Sequence, residues 1–142
     1  MGAINHERLA AMRQHPRYGQ ILDRALKAWF DPLVDQRLAP RRHGYGNSAA
    51  GDHVYEVPSA KSCCLLGAAR IGLPAGFKNY AESLGISANE TLALTAGFDA
   101  ENEPELERAV SGFPGCEEAA RFGHAVAVSL GLPFDHMDSK NR

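Results

Sequence analysis

The sequence predicts a mainly helical, compact single domain with one short β strand or hairpin before its central helix. Apolar residues recur at three- and four-residue steps in several segments, which is the spacing of one helix face. Capping residues, glycines and prolines separate these segments. A chain of 142 residues with 44% hydrophobic content is long enough to enclose one core. We therefore expect residues 1–142 to form one domain, with a polar, frayed tail over 133–142.

The central helix is predicted over residues 62–72. This stretch has the densest run of small and apolar residues and contains two of the three cysteines. Ser62 can cap its first turn, and Gly72, which stands two residues before a proline, can end it. The small residues 67–69 form a flat strip that lets another helix approach closely. We expect that helix to be Cys116 to Leu130, whose small residues also share one face.

The segments before the central helix carry both helix and strand signals. Residues 5–14 form a short helix that Asn5 can cap. Residues 18–29 have the clearest amphipathic pattern in the chain, so their Trp29 edge should pack on the core. A further short helix is predicted over 31–40, where a proline follows an aspartate cap. Residues 53–57 alternate and are β-prone, which predicts the short strand.

Four more helices are predicted after the central one. They cover approximately residues 77–84, 88–97, 103–111 and 116–130. Gly85 can end the first of them. Ser87 and Glu90 form a capping box for the second, because each side chain can bind a free backbone amide of the other residue. Asn102 or Glu103 starts the third.

Cysteine usage and hydropathy indicate the compartment. Three cysteines, two of them adjacent, do not make a disulfide framework. The sequence has no secretory signal and no run of about 18 apolar residues. We expect a reducing, cytoplasmic location and no contact with membranes.

The net charge of −2 conceals an uneven distribution of charge along the chain. Residues 1–43 contain eight Lys and Arg residues against four acids, whereas residues 82–118 contain nine acids against Arg108 alone. A dipolar surface of this kind can steer a charged partner or favour head-to-tail association. The expected partner is therefore another protein or a second copy of the chain.

Cys63 and Cys64 are the candidate nucleophiles. A thiolate in the first turn of a helix is stabilised by the backbone amide dipoles, which lower the pKa of the thiol. The alternative, which we favour, is that both cysteines are buried apolar fillers, because free cysteine is among the most buried residue types. The sequence alone leaves both interpretations open.

The segment from Gly123 to Val128 resembles the Gly-His-aliphatic strand of the NlpC/P60 peptidases, which are papain-like cysteine hydrolases. This resemblance implies that Cys63 or Cys64 attacks the substrate and that His124 is the base. Two features disagree with it: residues 116–122 are helix-forming, and Lys61 or Ser62 stands where the family has an acidic residue.

Nucleic-acid and metal binding are both disfavoured. Residues 81–94 have the spacing of a helix-turn-helix motif, but the second helix contains no Lys or Arg and is followed by five acids. The chain has no Cys-x-x-Cys motif, and adjacent helical cysteines point about 100° apart. We expect neither a metal nor a cofactor.

The run Cys64-Leu65-Leu66-Gly67-Ala68-Ala69, with Leu84 to Ser87 and Gly97 to Asp99 after it, resembles small uncharacterised proteins of phages and bacteria. The likeness covers about residues 57–99, consists mainly of packing residues and implies no activity. We predict a non-enzymatic protein-interaction or regulatory module. The alternatives are a cysteine hydrolase that uses Cys63 or Cys64 with His124, and a helix-turn-helix regulator.

Overall fold

The computed structural model describes residues 3–30, 39–40, 42, 62–70 and 80–134. These residues are mostly helical, which confirms the predicted fold class. In this part of the chain the helices are α1 His6–Met12, α2 Gly19–Phe30, α3 Leu65–Arg70, α4 Tyr80–Ser83, α5 Ala88–Asp99, α6 Glu103–Ser111 and α7 Glu117–Ser129. The strands are β1 Ala39–Pro40 and β2 Ser62–Cys63.

The β segment directly precedes α3, as predicted, but it is not a hairpin. Strand β2 pairs with β1 in parallel, with Ala39 opposite Ser62 and Pro40 opposite Cys63. Parallel strands need a long crossover connection, whereas a hairpin joins antiparallel neighbours. The predicted strand at 53–57 and residues 31–38 of the helix predicted over 31–40 lie outside the described residues. Ala39 and Pro40 form β1 and not the end of that helix.

The central helix is shorter than predicted at its start. Ser62 and Cys63 belong to β2, and α3 begins at Leu65. The carbonyl oxygen of Cys64 accepts the hydrogen bond of the Ala68 amide at 2.9 Å. Ser62 is therefore not the cap: pairing with β1 keeps its backbone extended, so the helix starts where the strand ends. The predicted stop at Gly72 lies outside the described residues.

Helix α3 packs against α2, whereas the sequence analysis predicted that it would pack against α7. Helix α2 buries Leu22, Ala25 and Trp29, which confirms the prediction for its Trp29 edge. Arg24 Nε of α2 donates to the carbonyl oxygen of Ala69 in α3 at 2.8 Å. The apolar face of α2 is therefore covered by α3.

The small-residue face of α7 packs against α5. A Cβ built on Gly97 of α5 would lie 2.7 Å from the carbonyl carbon of Ala120, and one built on Gly123 of α7 would lie 2.9 Å from the amide nitrogen of Phe98. Real Cβ atoms do not approach backbone atoms this closely, so the crossing requires glycine on both helices.

Three predicted helix starts are confirmed. The side chain of Asn5 accepts from the Arg8 amide at 2.9 Å, and Asn102 accepts from the Glu105 amide at 3.0 Å. Ser87 and Glu90 form the predicted capping box. Gly85, between α4 and α5, has a φ of 76°, a value that glycine adopts without steric cost.

The chain after α7 remains in contact with the helices for several residues. Phe134 packs its ring edgewise on His124, with the ring centroids 4.6 Å apart. The carbonyl oxygen of Pro133 accepts a hydrogen bond from Arg42. Both positions contact the rest of the chain although they were assigned to the predicted frayed tail, and residues 135–142 lie outside the described part.

Candidate functional site

The cysteines and the histidine of the hydrolase hypothesis belong to different helix pairs. Cys64, directly before α3, is 1% exposed. Only the backbone of Cys63 is described, and it lies in β2. His124 lies in α7, which is a regular helix over Glu117–Ser129 and not the strand that the resemblance to NlpC/P60 peptidases requires. Helix α3 packs on α2, whereas α7 packs on α5.

The turn between α4 and α5 has the spacing of a helix-turn-helix and the packing of an ordinary αα-hairpin. Ala81, Ile86 and Leu94 are buried at the expected positions. Glu90, in the first turn of α5, forms the capping box with Ser87 and an ion pair with Arg17. Helix α5 contains no Lys or Arg that could contact phosphate. Within the described ranges no group of three His, Cys, Asp or Glu residues could hold a metal ion.

A groove open to solvent lies between α1 and α2. We call it the α1–α2 groove; it has a volume of about 310 Å³. The lining residues form two groups. The first group, from α1 and the turn after it, is His6, Leu9, Ala10 and Arg13, and the second group, from α2, is Asp23, Leu26, Lys27 and Phe30. Within each group the positions follow steps of three and four residues, so each helix presents one continuous stripe.

The floor and walls of the groove are apolar. Leu9 closes the floor and is 1% exposed, whereas Leu26 and Phe30 are only half-buried. The ring of His6 lies edge-on to Phe30, with the centroids 5.9 Å apart. A half-buried leucine and phenylalanine beside an open groove can bury further apolar surface against an incoming side chain.

The rim of the groove carries an excess of positive charge. Arg13 and Lys27 share a single carboxylate: Arg13 forms a close ion pair with Asp23, and Lys27 Nζ lies 3.3 Å from Asp23 Oδ2. Partial burial acts to raise the pKa of Asp23, but the hydrogen bonds from Arg13 and Lys27 outweigh it and hold that pKa below its ordinary value. Two cations against one carboxylate leave a surplus positive charge at the groove mouth.

A second groove, between α6 and α7, has the opposite charge. Its volume is about 490 Å³, and its lining residues are Glu103, Leu106, Glu107, Val110, Ser111 and Arg121. Leu106 and Val110 are half-buried, and Glu107 is exposed. Four of these positions again follow helical steps, so α6 presents an acidic and apolar stripe.

A polar cluster joins the start of α2 to the start of α5. Arg17 donates to both carboxylate oxygens of Glu90, from Nε at 2.5 Å and from Nη2 at 2.6 Å, and the Tyr18 hydroxyl donates to Oε2 at 2.7 Å. The hydrogen bonds from Arg17 lower the pKa of Glu90 to about 2. Burial, together with the bond to Glu90, raises the pKa of Tyr18 to about 12. Both carboxylate oxygens of Glu90 accept hydrogen bonds within the cluster, which indicates a structural role.

These features can be predicted only in part from the sequence. Leu26 and Phe30 form a second apolar stripe on α2, which their spacing of four residues indicates. The apolar pattern of the face that contains Trp29 is stronger, and the prediction for α2 rested on that face. The capping box predicted one role for Glu90, whereas its pairing with Arg17 crosses 73 residues and has no local signal.

The part of the chain that the structure describes contains no helix long and apolar enough to cross a membrane. Comparison of the chain with models of protein families, with curated proteins and with solved structures gives no match. The resemblance to small phage and bacterial proteins therefore stays a prediction.

Proposed function

We propose that this protein is a non-enzymatic, cytoplasmic interaction module that binds an acidic, amphipathic helical segment of a protein partner in the α1–α2 groove. The observation that carries the proposal is the pairing of an apolar floor, Leu9, with a rim on which Arg13 and Lys27 share one carboxylate. An amphipathic helix binds such a groove by inserting its apolar side chains and placing its charged residues on the rim.

The volume and the burial of the groove fit this mode of binding. About 310 Å³ accommodates one or two large apolar side chains. Half-buried Leu26 and Phe30 lose further exposed area when such side chains enter. Carboxylates on the partner complete the charge balance of the rim, which gives orientation and specificity more than affinity.

The test uses two synthetic helical peptides and the full-length chain. One peptide carries leucines at a spacing of three and four residues with flanking glutamates, and the other has lysines in place of the glutamates. Fluorescence anisotropy should show binding of the acidic peptide only. In the Lys27→Glu variant the affinity should fall at least about tenfold, because a rim cation becomes a repulsive carboxylate.

Arg8→Glu is the matched control variant. Arg8 is exposed on α1 outside the groove lining, and its replacement changes the net charge of the chain by the same amount. We expect its affinity for the acidic peptide to stay within about twofold of the original chain. Equal binding of both peptides, or equal weakening by the two substitutions, would overturn the proposal.

A further inference from the structure

The acidic stripe of α6 has the chemistry that the α1–α2 groove selects. Glu103, Leu106, Glu107 and Val110 stand at steps of three and four residues, so two carboxylates and two apolar side chains share one stripe. The half-buried Leu106 and Val110 retain surface that a contact can cover. This is the pattern of an acidic amphipathic helix.

We infer that the occupant of the α1–α2 groove is the α6 stripe of a second copy of this chain. This inference rests on the proposed function and names its partner. The charges match: the groove rim has Arg13 and Lys27 against Asp23, and the surface of the α6 stripe has Glu103 and Glu107 against Arg121 of α7. The apolar parts match as well, because both surfaces hold half-buried bulky residues.

The contact forms between copies and not within one chain. Ala109 of α6 is 3% exposed and packs in the core, which fixes α6 beside α5 and α7. The groove lies on α1 and α2, so α6 cannot reach it without leaving the core. Each copy thus offers one groove and one stripe, and a head-to-tail contact of this kind builds a ring or an open chain of copies.

The association is weak and depends on salt. Each exposed ion pair contributes little to the free energy of association and is screened at high ionic strength. Sedimentation velocity on the full chain, from micromolar to millimolar concentration, should show an average mass that rises with concentration at low salt. Raising the salt concentration should shift the population back toward the monomer.

Two charge reversals on opposite surfaces test the contact directly. Lys27→Glu disables the groove, and Glu107→Lys disables the stripe; each variant alone should remain monomeric at the highest concentration. An equimolar mixture should associate again, because the intact groove of the second variant meets the intact stripe of the first. Arg8→Glu and Glu82→Lys, at exposed positions outside both surfaces, are the controls and should associate like the original chain.

Circular dichroism of each variant checks that the helices are retained. A chain that stays monomeric at millimolar concentration and low salt would overturn the inference, and so would association that both reversals leave unchanged. If the acidic peptide binds the groove while the chain stays monomeric, the proposed function stands and only the identity of the partner is wrong. If neither experiment shows binding, both proposals fail.

Discussion

Gly97 of α5 lies directly against the backbone of Ala120 in α7. A Cβ built on Gly97 would lie 2.7 Å from the carbonyl carbon and 2.9 Å from the Cα of Ala120. On the other helix, Gly123 faces the backbone of Leu94 and Phe98 in the same way. The two helices therefore touch through their backbones, and this crossing organises the half of the domain that contains α5, α6 and α7.

Replacing Gly97 by alanine should destabilise the fold. Overpacking a tight contact costs about 1–3 kcal/mol, occasionally more. An unobstructed helical glycine would show the opposite sign, because alanine favours the helix by about 1 kcal/mol. Urea denaturation of Gly97→Ala and of the original chain measures the difference, and a stabilised variant would show that α5 and α7 lie further apart.

The Glu90 cluster should make stability depend on pH in the acid range. Hydrogen bonds from Arg17 hold the pKa of Glu90 at about 2 in the folded chain, against an ordinary value of 4.5. The folded state thus binds fewer protons than the unfolded state between these values. The contribution of Glu90 is complete above the ordinary value and is lost as the pH falls through about 2.

The Glu90→Gln variant isolates this contribution. It should lower the free energy of unfolding at neutral pH by about 1.5–3 kcal/mol, the range for hydrogen bonds to charged groups. The gap to the original chain should narrow as the pH falls from about 5 towards 2. Urea titrations at a series of pH values measure the gap, with Glu107→Gln, at an exposed position on α6, as the control. A gap that is constant over this range would contradict the assignment.

Cys64 and Cys116 should react slowly with iodoacetamide in the folded chain. They are 1% and 9% exposed, so a reagent reaches them only after local or global opening. Mass spectrometry of a Cys63→Ser variant, which leaves Cys64 as the sole thiol of its pair, should show alkylation of Cys64 slower than in urea by more than about a hundredfold. Fast native alkylation that His124→Ala slows would instead support the hydrolase hypothesis.

Arg42 should contribute to stability through the carbonyl groups it satisfies. It is 8% exposed, donates from Nε to the carbonyl oxygen of Phe98 at 3.0 Å, and donates from Nη1 to that of Pro133. Arg42→Met leaves both carbonyl oxygens without this donor and should lower the free energy of unfolding by about 1–3 kcal/mol. Arg108→Met, at an exposed position on α6, should change the free energy of unfolding by less than about 0.5 kcal/mol. Equal effects of the two substitutions in thermal unfolding would refute this role.

The sequence determined the local structure of the described helices. Asn5, the Ser87 and Glu90 capping box, Asn102 and the turn at Gly85 all act within a few residues, so their signals are complete in the local sequence. The mainly helical class follows from the same periodic pattern. For the same reason the sequence correctly predicted that α7 has a face of small residues.

Only the tertiary structure decided which faces meet. Spacing shows that α3 and α7 both have small-residue strips, but it carries no information about partners, and α3 packs on α2 while α7 packs on α5. Because Ser62 and Cys63 pair with β1, α3 starts later in the sequence than predicted. The ion pair between Arg17 and Glu90 joins positions that are 73 residues apart. The α1–α2 groove exists because two separate stripes converge, which is a property of helix packing and not of either segment alone.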